Sequence, residues 1–249
     1  MIEIRNLKKS FGSHVVLDDV SLVIEEGKTT AVVGPSGTGK SVLLKIITGL
    51  LPADEGEVLI DGESITGAEN EKERQRLRGR MGMLFQAGAL FDSITLFENV
   101  AFPLRWRTKL SEQEIARSVA KRLDEVGMTG YEGALPGEVS IGMRKRIGIA
   151  RALITEPSFL LFDEPNTGLD PMTGQEIYEL IIATQRSSGF TGIVVSHELP
   201  EVFQVCERVA MLYGGKVQLE ASVDEFLATN NPVVQQFIRG EREGPIVIH

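Results

Sequence analysis

The stretch Gly34-Pro35-Ser36-Gly37-Thr38-Gly39-Lys40-Ser41 decides how this chain folds, since it fits the glycine-rich pattern G-x-x-x-x-G-K-[ST]. The β-branched run at residues 29–33 precedes it and predicts a short buried strand. Residues 42–47 follow it with the pattern of a helix, which Gly49 is placed to end. The order of strand, loop and helix is typical of a loop that binds phosphate.

The residue types of this loop match that chemistry. Gly34, Gly37 and Gly39 let the backbone bend so that successive N–H groups face a polyphosphate, and the following helix adds its positive end. Lys40 supplies a cation for the β- and γ-phosphates, and Ser41 supplies a hydroxyl for Mg²⁺. A glycine-rich turn that binds nothing is the alternative, but the flanking strand and helix favour a nucleotide site.

Composition limits the class of protein. The 249 residues, with 42% hydrophobic and 24% charged side chains, are typical of a globular protein of one large domain or two small ones. The formal net charge of -9 argues against nucleic acid as a partner. Apolar runs are shorter than the roughly 18 residues that span a bilayer, and the start of the chain lacks a secretion signal. We therefore expect a cytoplasmic protein, with the single cysteine, Cys206, buried as a small apolar residue.

Strand patterns come first along the chain. Residues 2–4 and 20–24 alternate between apolar and polar side chains, which predicts antiparallel strands ahead of the loop strand. Phe11 lies beside a small polar turn, so it either fills the core or offers a platform on which a purine stacks. Residues 81–85 predict a further strand that ends at Gln86, where the chain has a candidate hinge.

Helical patterns dominate residues 95–153, which indicates a helical insertion between sheet elements. Within it, Ser111 and Glu114 form a capping box at the start of an amphipathic helix. The densely charged residues 69–80, ahead of the insertion, predict a helix with a solvated face. Trp106 is interpreted as a packing or interface anchor.

Two acidic residues follow the apolar strand at residues 159–162. Carboxylates at the end of a buried strand lie where open α/β sheets bind ligands, so we expect Asp163 to reach the Mg²⁺ that Ser41 holds. Glu164 is then free to polarise a water. The next strand delivers His197 to the same edge, where we expect a γ-phosphate contact rather than a structural role. An acidic loop start is the alternative for the carboxylates.

The C-terminal part of the chain predicts smaller elements. A Gly-Gly turn within residues 209–219 predicts a β-hairpin. Residues 222–227 and 232–238 predict short helices. Glycine and proline in residues 239–249 predict an extended tail.

These residues, in this order, resemble the ATP-binding cassette family of ABC transporters over nearly the whole chain. The resemblance rests on the aromatic Phe11, Walker A at Gly34 to Ser41, the Q-loop Gln86, the signature Val139-Ser140-Ile141-Gly142-Met143, Walker B with Asp163 and Glu164, the D-loop at residues 167–170 and the switch His197. It implies an α/β P-loop NTPase, with a RecA-like mixed sheet, an antiparallel β subdomain and an inserted α-helical subdomain. It also implies one domain, residues 1–249: a nucleotide-binding core (1–86 and 157–230), a helical subdomain with the signature (87–156) and a C-terminal extension (231–249).

The resemblance implies an ATP hydrolase that uses ATP and Mg²⁺. The implied catalytic residues are Glu164 as general base, His197, Gln86 and Lys40, and the implied metal ligands are Ser41, Gln86 and Asp163. The implied nucleotide-binding residues are Phe11, Gly34, Pro35, Ser36, Gly37, Thr38, Gly39, Lys40, Ser41, Val42, Ser140, Gly142 and Asp170.

In that family two cassettes face each other head to tail, and each ATP lies between Walker A of one and the signature of the other. A second copy of this chain is therefore an implied partner. Ser140 stands at the start of a predicted helix, whose free N–H groups and dipole favour a phosphate. The chain departs from the family at Ile141, where a glycine is usual. A β-branched residue disfavours φ above zero and brings a bulky side chain near the phosphate, so full-strength contacts of the signature across the dimer are in question here.

Residues 84–91, 98–105 and 143–146, and the tail, are similar to the ATPase of Mla/Mce-type lipid transport systems. This similarity implies membrane permease subunits and an Mce-domain lipid-binding protein as partners, and a place on the cytoplasmic face of the inner membrane. Three alternatives stay open: the ATPase of an importer for another substrate, a soluble non-transport ATPase such as one of iron-sulfur assembly, and a regulatory module that binds ATP but barely hydrolyses it.

Overall fold

The computed structural model describes residues 1–247. Its strands are β1 (Ile2–Phe11), β2 (His14–Ile24), β3 (Thr29–Val33), β4 (Glu55–Ile60), β5 (Glu63–Ser64), β6 (Met81–Leu84), β7 (Phe159–Asp163), β8 (Thr191–Ser196), β9 (Arg208–Tyr213) and β10 (Lys216–Ser222). Its α-helices are α1 (Lys40–Ile47), α2 (Glu71–Arg78), α3 (Leu96–Arg107), α4 (Glu112–Glu125), α5 (Ile141–Leu153), α6 (Pro171–Ser188), α7 (Val223–Ala228) and α8 (Pro232–Arg239). Short 3₁₀ helices occupy Pro136–Glu138 and Glu201–Val205.

The chain forms two compact units. The first contains Met1–Arg78 and the chain from Thr191 onward, and the second contains Gly79–Phe190. The division into core, helical subdomain and C-terminal extension that the resemblance implies stays a prediction.

The first unit contains an antiparallel sheet with the strand order β2-β1-β4-β5. As the alternation predicts, Ile2 and Ile4 of β1 are buried, and they pair with Ile24 and Leu22 of β2. Asp61 and Gly62, at φ of 48° and 83°, make the tight turn between β4 and β5. The predicted antiparallel strands are therefore confirmed.

In the same unit, β3 pairs in parallel with both β8 and β9. All five residues of β3 are buried, as the β-branched run predicts. The hairpin of β9 and β10 is also confirmed, since Gly214 and Gly215 have φ of 59° and 75°. The loop that follows β3 is thus held by a strand with neighbours on both sides.

The second unit contains two parallel strands, β6 and β7, in which Leu84 is paired with Phe162. Helix α5 packs against β6 and against α3, α4 and α6. A Cβ atom at Gly82 would lie 2.2 Å from the carbonyl oxygen of Ala152, so only glycine lets α5 approach β6 this closely. The predicted capping box is confirmed, since the N–H of Ser111 donates to Glu114 at 2.7 Å.

The C-terminal tail differs from the prediction, because it folds back on α8 rather than extending. Gln236 is buried, donates to the carbonyls of Glu241 and Ile246 at 3.2 Å, and accepts from the N–H of Ile246 at 2.6 Å. A buried amide with donors and acceptors to satisfy stabilises the turn that the chain makes around it. The prediction also covered Ile248 and His249, which lie outside the described residues. No helix within residues 1–247 is long and apolar enough to cross a membrane.

Candidate functional site

The glycine-rich loop in the first unit forms a tight turn between β3 and α1. Gly34 has φ of 147°, and a Cβ atom there would lie 2.2 Å from the carbonyl oxygen of Leu212. Gly39, at φ of 96°, is the N-cap residue of α1. These positions require glycine for conformation and for space. The N–H groups at the start of α1 therefore lie in the loop, where they favour an anion.

Lys40 folds back over the loop that precedes it. Its ammonium donates to the carbonyls of Gly34 at 2.8 Å and Pro35 at 2.9 Å, and the residue is only 4% exposed. The hydroxyl of Thr38 donates to the same Pro35 carbonyl at 2.9 Å. The cation thus lies inside the turn, within reach of an anion that the loop N–H groups bind.

Two more predicted residues lie in the first unit. Val33 at the end of β3 is paired with Ser196 at the end of β8, so the loop and the half-buried His197 leave the same edge of the sheet. Phe11 is 50% exposed, and the ammonium of Lys9 lies 5.5 Å from its ring centroid. Its side chain therefore does not fill the core, and the stacking role stays a prediction.

In the second unit, the acidic pair lies where the sequence predicts, at the end of β7. Asp163 is the last residue of the strand and is buried. Glu164 adopts φ of 49°, in the left-handed region that non-glycine residues enter at a cost of about 1–3 kcal/mol. Its carboxylate accepts from the Gln86 amide and the Thr167 hydroxyl, both at 3.1 Å. The structure thus brings Gln86 and Glu164 together at one sheet edge.

Lys145 of α5 is a residue that sequence analysis did not assign to the site. It is 2% exposed, and its ammonium donates to the backbone carbonyls of Gln86 and, at 3.1 Å, Glu164. A signal was present in the sequence, because Lys145 lies on the same helical face as Gly142 and Ile149, which are also buried. A lysine is almost never fully buried unless polar partners surround its ammonium, so its place on this face indicates specific contacts.

The signature segment begins α5. Ser140 is its N-cap residue and accepts from the N–H of Met143 at 3.2 Å. The concern about Ile141 is wrong in its conformational part, because this residue is the first of the helix and has no positive φ. Its side chain is 46% exposed. Gly142 is where glycine is required, since a Cβ atom would lie 2.6 Å from the Thr173 methyl group.

Asp170 caps the next helix, α6. Its carboxylate accepts from the N–H groups of Met172 and Thr173 and from the Thr173 hydroxyl at 2.6 Å. The hydrogen bond from the hydroxyl, followed by that from the N–H of Thr173, lowers the pKa of Asp170. The carboxylate therefore stabilises the start of α6 in this structure.

The sequence is similar to one protein family and to several curated proteins. The family described as ABC transporter matches residues 17–167. The intermembrane phospholipid transport system ATP-binding protein MlaF of Haemophilus influenzae is 41% identical, over 99% of this chain and 93% of its own length. The protein TRIGALACTOSYLDIACYLGLYCEROL 3, chloroplastic, of Arabidopsis thaliana is also 41% identical, over 99% and 75%. The probable ribonucleotide transport ATP-binding protein mkl of Mycobacterium leprae is 43% identical, over 98% and 70%.

Solved structures show the same fold. The dimeric structure of the ATP-binding cassette MJ0796 in a post-hydrolysis state, bound to ADP and Pi, superposes with a TM-score of 0.82 at 32% identity, covering 90% of this chain and 99% of that one. The CbiO1 protein of Clostridium perfringens, part of the CbiONQ transporter complex, gives a TM-score of 0.83 at 30% identity, over 92% and 91%. These similarities confirm the predicted α/β P-loop fold.

Proposed function

The chain belongs to the ABC transporter family, and from that membership we propose that it powers the transport of phospholipid between membranes by hydrolysing ATP. The ATP-binding ATPase activity follows from the family. The phospholipid cargo is supported by MlaF, a relative whose length this chain covers to 93%. The observation that carries the ATPase assignment is the glycine-bounded loop with Lys40 folded inside it.

In the proposed site, the loop binds the phosphates of ATP. The N–H groups of Gly34 and residues 36–42 and the ammonium of Lys40 neutralise the charge of the β- and γ-phosphates, and the exposed ring of Phe11 stacks on the adenine. Within residues 1–247, no group of three or more His, Cys, Asp or Glu side chains could hold a metal ion. That finding fits Mg²⁺, which needs only one or two protein oxygens beside those of the phosphates.

Ser41, Asp163 and Gln86 carry the hard oxygen atoms that such an ion prefers, and we assign them as its ligands. When bound, Mg²⁺ would neutralise charge on the β- and γ-phosphates. Glu164 is the proposed general base. Its carboxylate accepts hydrogen bonds from the Gln86 amide and the Thr167 hydroxyl, which orient it at the end of β7, where a base can act on the attacking water. His197 leaves the sheet edge beside the loop and is assigned to the γ-phosphate.

A second copy of this chain is the proposed partner across the nucleotide. The N-terminus of α5 supports this role, because its N-cap residue Ser140 is exposed and the N–H groups of the first turn favour an anion. Asp170 would take part from the D-loop. The dimeric MJ0796 cassette is a precedent among the solved structures.

We also assign the chain to the cytoplasmic face of a membrane, under a permease that works with an Mce-domain lipid-binding protein. The second unit presents an exposed aromatic cluster of Phe91, Phe102 and Trp106, with ring centroids 4.9 and 5.9 Å apart. Trp106 is 76% exposed, and apolar surface of this kind usually marks a protein contact. Purification of the tagged chain from detergent-solubilised membranes tests the assignment: an integral membrane protein and an Mce-domain protein should co-purify, and their absence would contradict it.

The substitution Glu164→Gln tests the hydrolytic mechanism. It keeps the shape of the side chain but removes the base, so turnover should fall about 10²- to 10⁴-fold while the Kd for ATP changes little. The measurement is steady-state phosphate release, alongside equilibrium binding of ATP. The surface substitution Glu176→Gln on α6 is the control and should leave turnover unchanged. Wild-type turnover by Glu164→Gln would remove the assignment of the base.

A further inference from the structure

We propose that Lys145 is a positioning residue that holds Gln86 and Glu164 in their catalytic geometry. This inference rests on the proposed function, because it takes Glu164 as the base. Lys145 lies on α5, while Gln86 follows β6 and Glu164 follows β7. One ammonium therefore links a helix to the ends of two strands.

The contacts of Lys145 act on the backbone rather than on the reacting atoms. Its ammonium donates to the carbonyl of Glu164, which also accepts from the N–H of Thr167 at 3.3 Å. Because Glu164 has φ of 49°, its backbone needs hydrogen bonds that favour the left-handed conformation over the extended one. Lys145 supplies such a bond, and so fixes the direction in which the carboxylate leaves the strand.

Burial makes this arrangement sensitive to substitution. Lys145 is 2% exposed, and an ammonium removed from water is stable only where acceptors surround it. The backbone carbonyls of Gln86 and Glu164 are such acceptors, and they carry no titratable charge of their own. Without the cation, the carbonyls of Gln86 and Glu164 would lose the donor that they share. Each peptide group could then rotate toward a different donor.

A second cation of the same helix contacts the same segment. Arg151 donates to the carbonyls of Gly88 at 2.8 Å and Ala89 at 2.7 Å. Helix α5 thus holds residues 86–89 through two side chains, Lys145 and Arg151, that lie about 1.7 turns apart on the helix. Helix α5 begins directly after Ser140. A phosphate that binds at the start of this helix and shifts it would therefore also shift the Lys145 ammonium that orients Glu164. Lys145 is the link nearest the base.

The experiment compares kcat and KM for ATP hydrolysis in Lys145→Met, Lys145→Arg and the full wild-type chain. Met keeps the length of the side chain but has no donor, so we expect kcat to fall about 10- to 100-fold, as for a misplaced catalytic group. We expect KM to stay close to the wild-type value, while the melting temperature falls because two buried carbonyls lose a donor. Arg offers donors to both carbonyls and should recover most of kcat.

The matched control is Arg146→Gln, which removes a cation from the adjacent position of α5. Arg146 donates to Val126 and Glu176, so its loss should leave kcat within about twofold. If Lys145→Met does not fold, Lys145→Gln is measured in its place. A kcat within twofold of wild type in the folded variant, or a loss that Lys145→Arg shares in full, would overturn the proposal. Should turnover not depend on Glu164, the assignment of the base within the proposed function would fail instead, whatever Lys145→Met does.

Discussion

The substitution Gly142→Ala probes the close packing at the start of the signature helix. The added Cβ would lie 2.6 Å from Cγ2 of Thr173, a distance that non-bonded carbon atoms do not reach. Thr173 cannot rotate without loss, because its hydroxyl donates to Asp170 at 2.6 Å. The strain must therefore be taken up by a shift of α5 against α6, or by breaking that hydrogen bond.

Two opposing terms set the size of the effect. Replacing glycine by alanine inside a helix stabilises it by about 0.8–1 kcal/mol. Overpacking of a rigid contact costs about 1–3 kcal/mol. We therefore expect Gly142→Ala to destabilise the chain by up to about 2 kcal/mol, or about 2–4 °C in melting temperature for each kcal/mol in a protein of this size.

A double-mutant cycle isolates the contact from the helix propensity. Thr173→Ser removes the methyl group that the new Cβ would meet but keeps the hydroxyl that Asp170 accepts. In this background Gly142→Ala should become stabilising, which gives a coupling free energy of about 1–3 kcal/mol. Thermal and denaturant unfolding of the four proteins measure it. Gly174→Ala on α6 is the control, because its Cβ would meet Asn166 only at an ordinary 3.5 Å.

Equal effects of Gly142→Ala in the two backgrounds would refute the reasoning, since the clash would then contribute nothing. A destabilising Gly174→Ala would refute it in a second way, because the helix term would have the wrong sign. Size-exclusion chromatography with ATP measures dimer formation by the variants. It shows separately whether the start of α5 still supports the proposed dimer.

Two further outcomes follow from individual side chains. Phe11→Ala should weaken ATP binding about fivefold to a hundredfold by loss of base stacking, while Phe11→Tyr should not. Tripolyphosphate has no base, so its affinity should be equal in all three proteins. An equal loss of affinity for tripolyphosphate in Phe11→Ala would remove the stacking role. Burial raises the pKa of Cys206 to about 12, so its thiol is protonated at pH 8. It should therefore react with a disulfide reagent far more slowly in the native chain than in the unfolded chain. Equal reaction rates would contradict its burial.

The sequence predicted the elements whose causes are local. The glycines of the loop, the β-branched run before it and the Ser111 capping box depend on neighbours within a few residues, so their structure follows from their spacing. The fold class followed from the family resemblance that the ordered motifs carry, and the solved structures confirm it. The roles of the candidate residues stay predictions, although the structure places Asp163 at the end of β7 and His197 directly after β8.

The tertiary structure decided what depends on distant partners. The tail was predicted to be extended from its glycines and proline, but buried Gln236 accepts from the N–H of Ile246 and turns the chain back. Spacing alone could not show that satisfaction of a buried amide would outweigh the local preference for an open chain. The conformational concern about Ile141 failed for a similar reason, because the helix begins at that residue and its φ is helical.

Lys145 gives the same lesson at the site. The sequence determined that a charged residue lies on the buried face of α5, but a pattern cannot say which groups surround it. Only the packing of α5 against β6 brings its ammonium to the carbonyls of Gln86 and Glu164, which are 59 and 19 residues away in the chain. Local sequence preferences determine local structure. The partners of a buried charge depend instead on which distant backbone groups the fold buries without another donor.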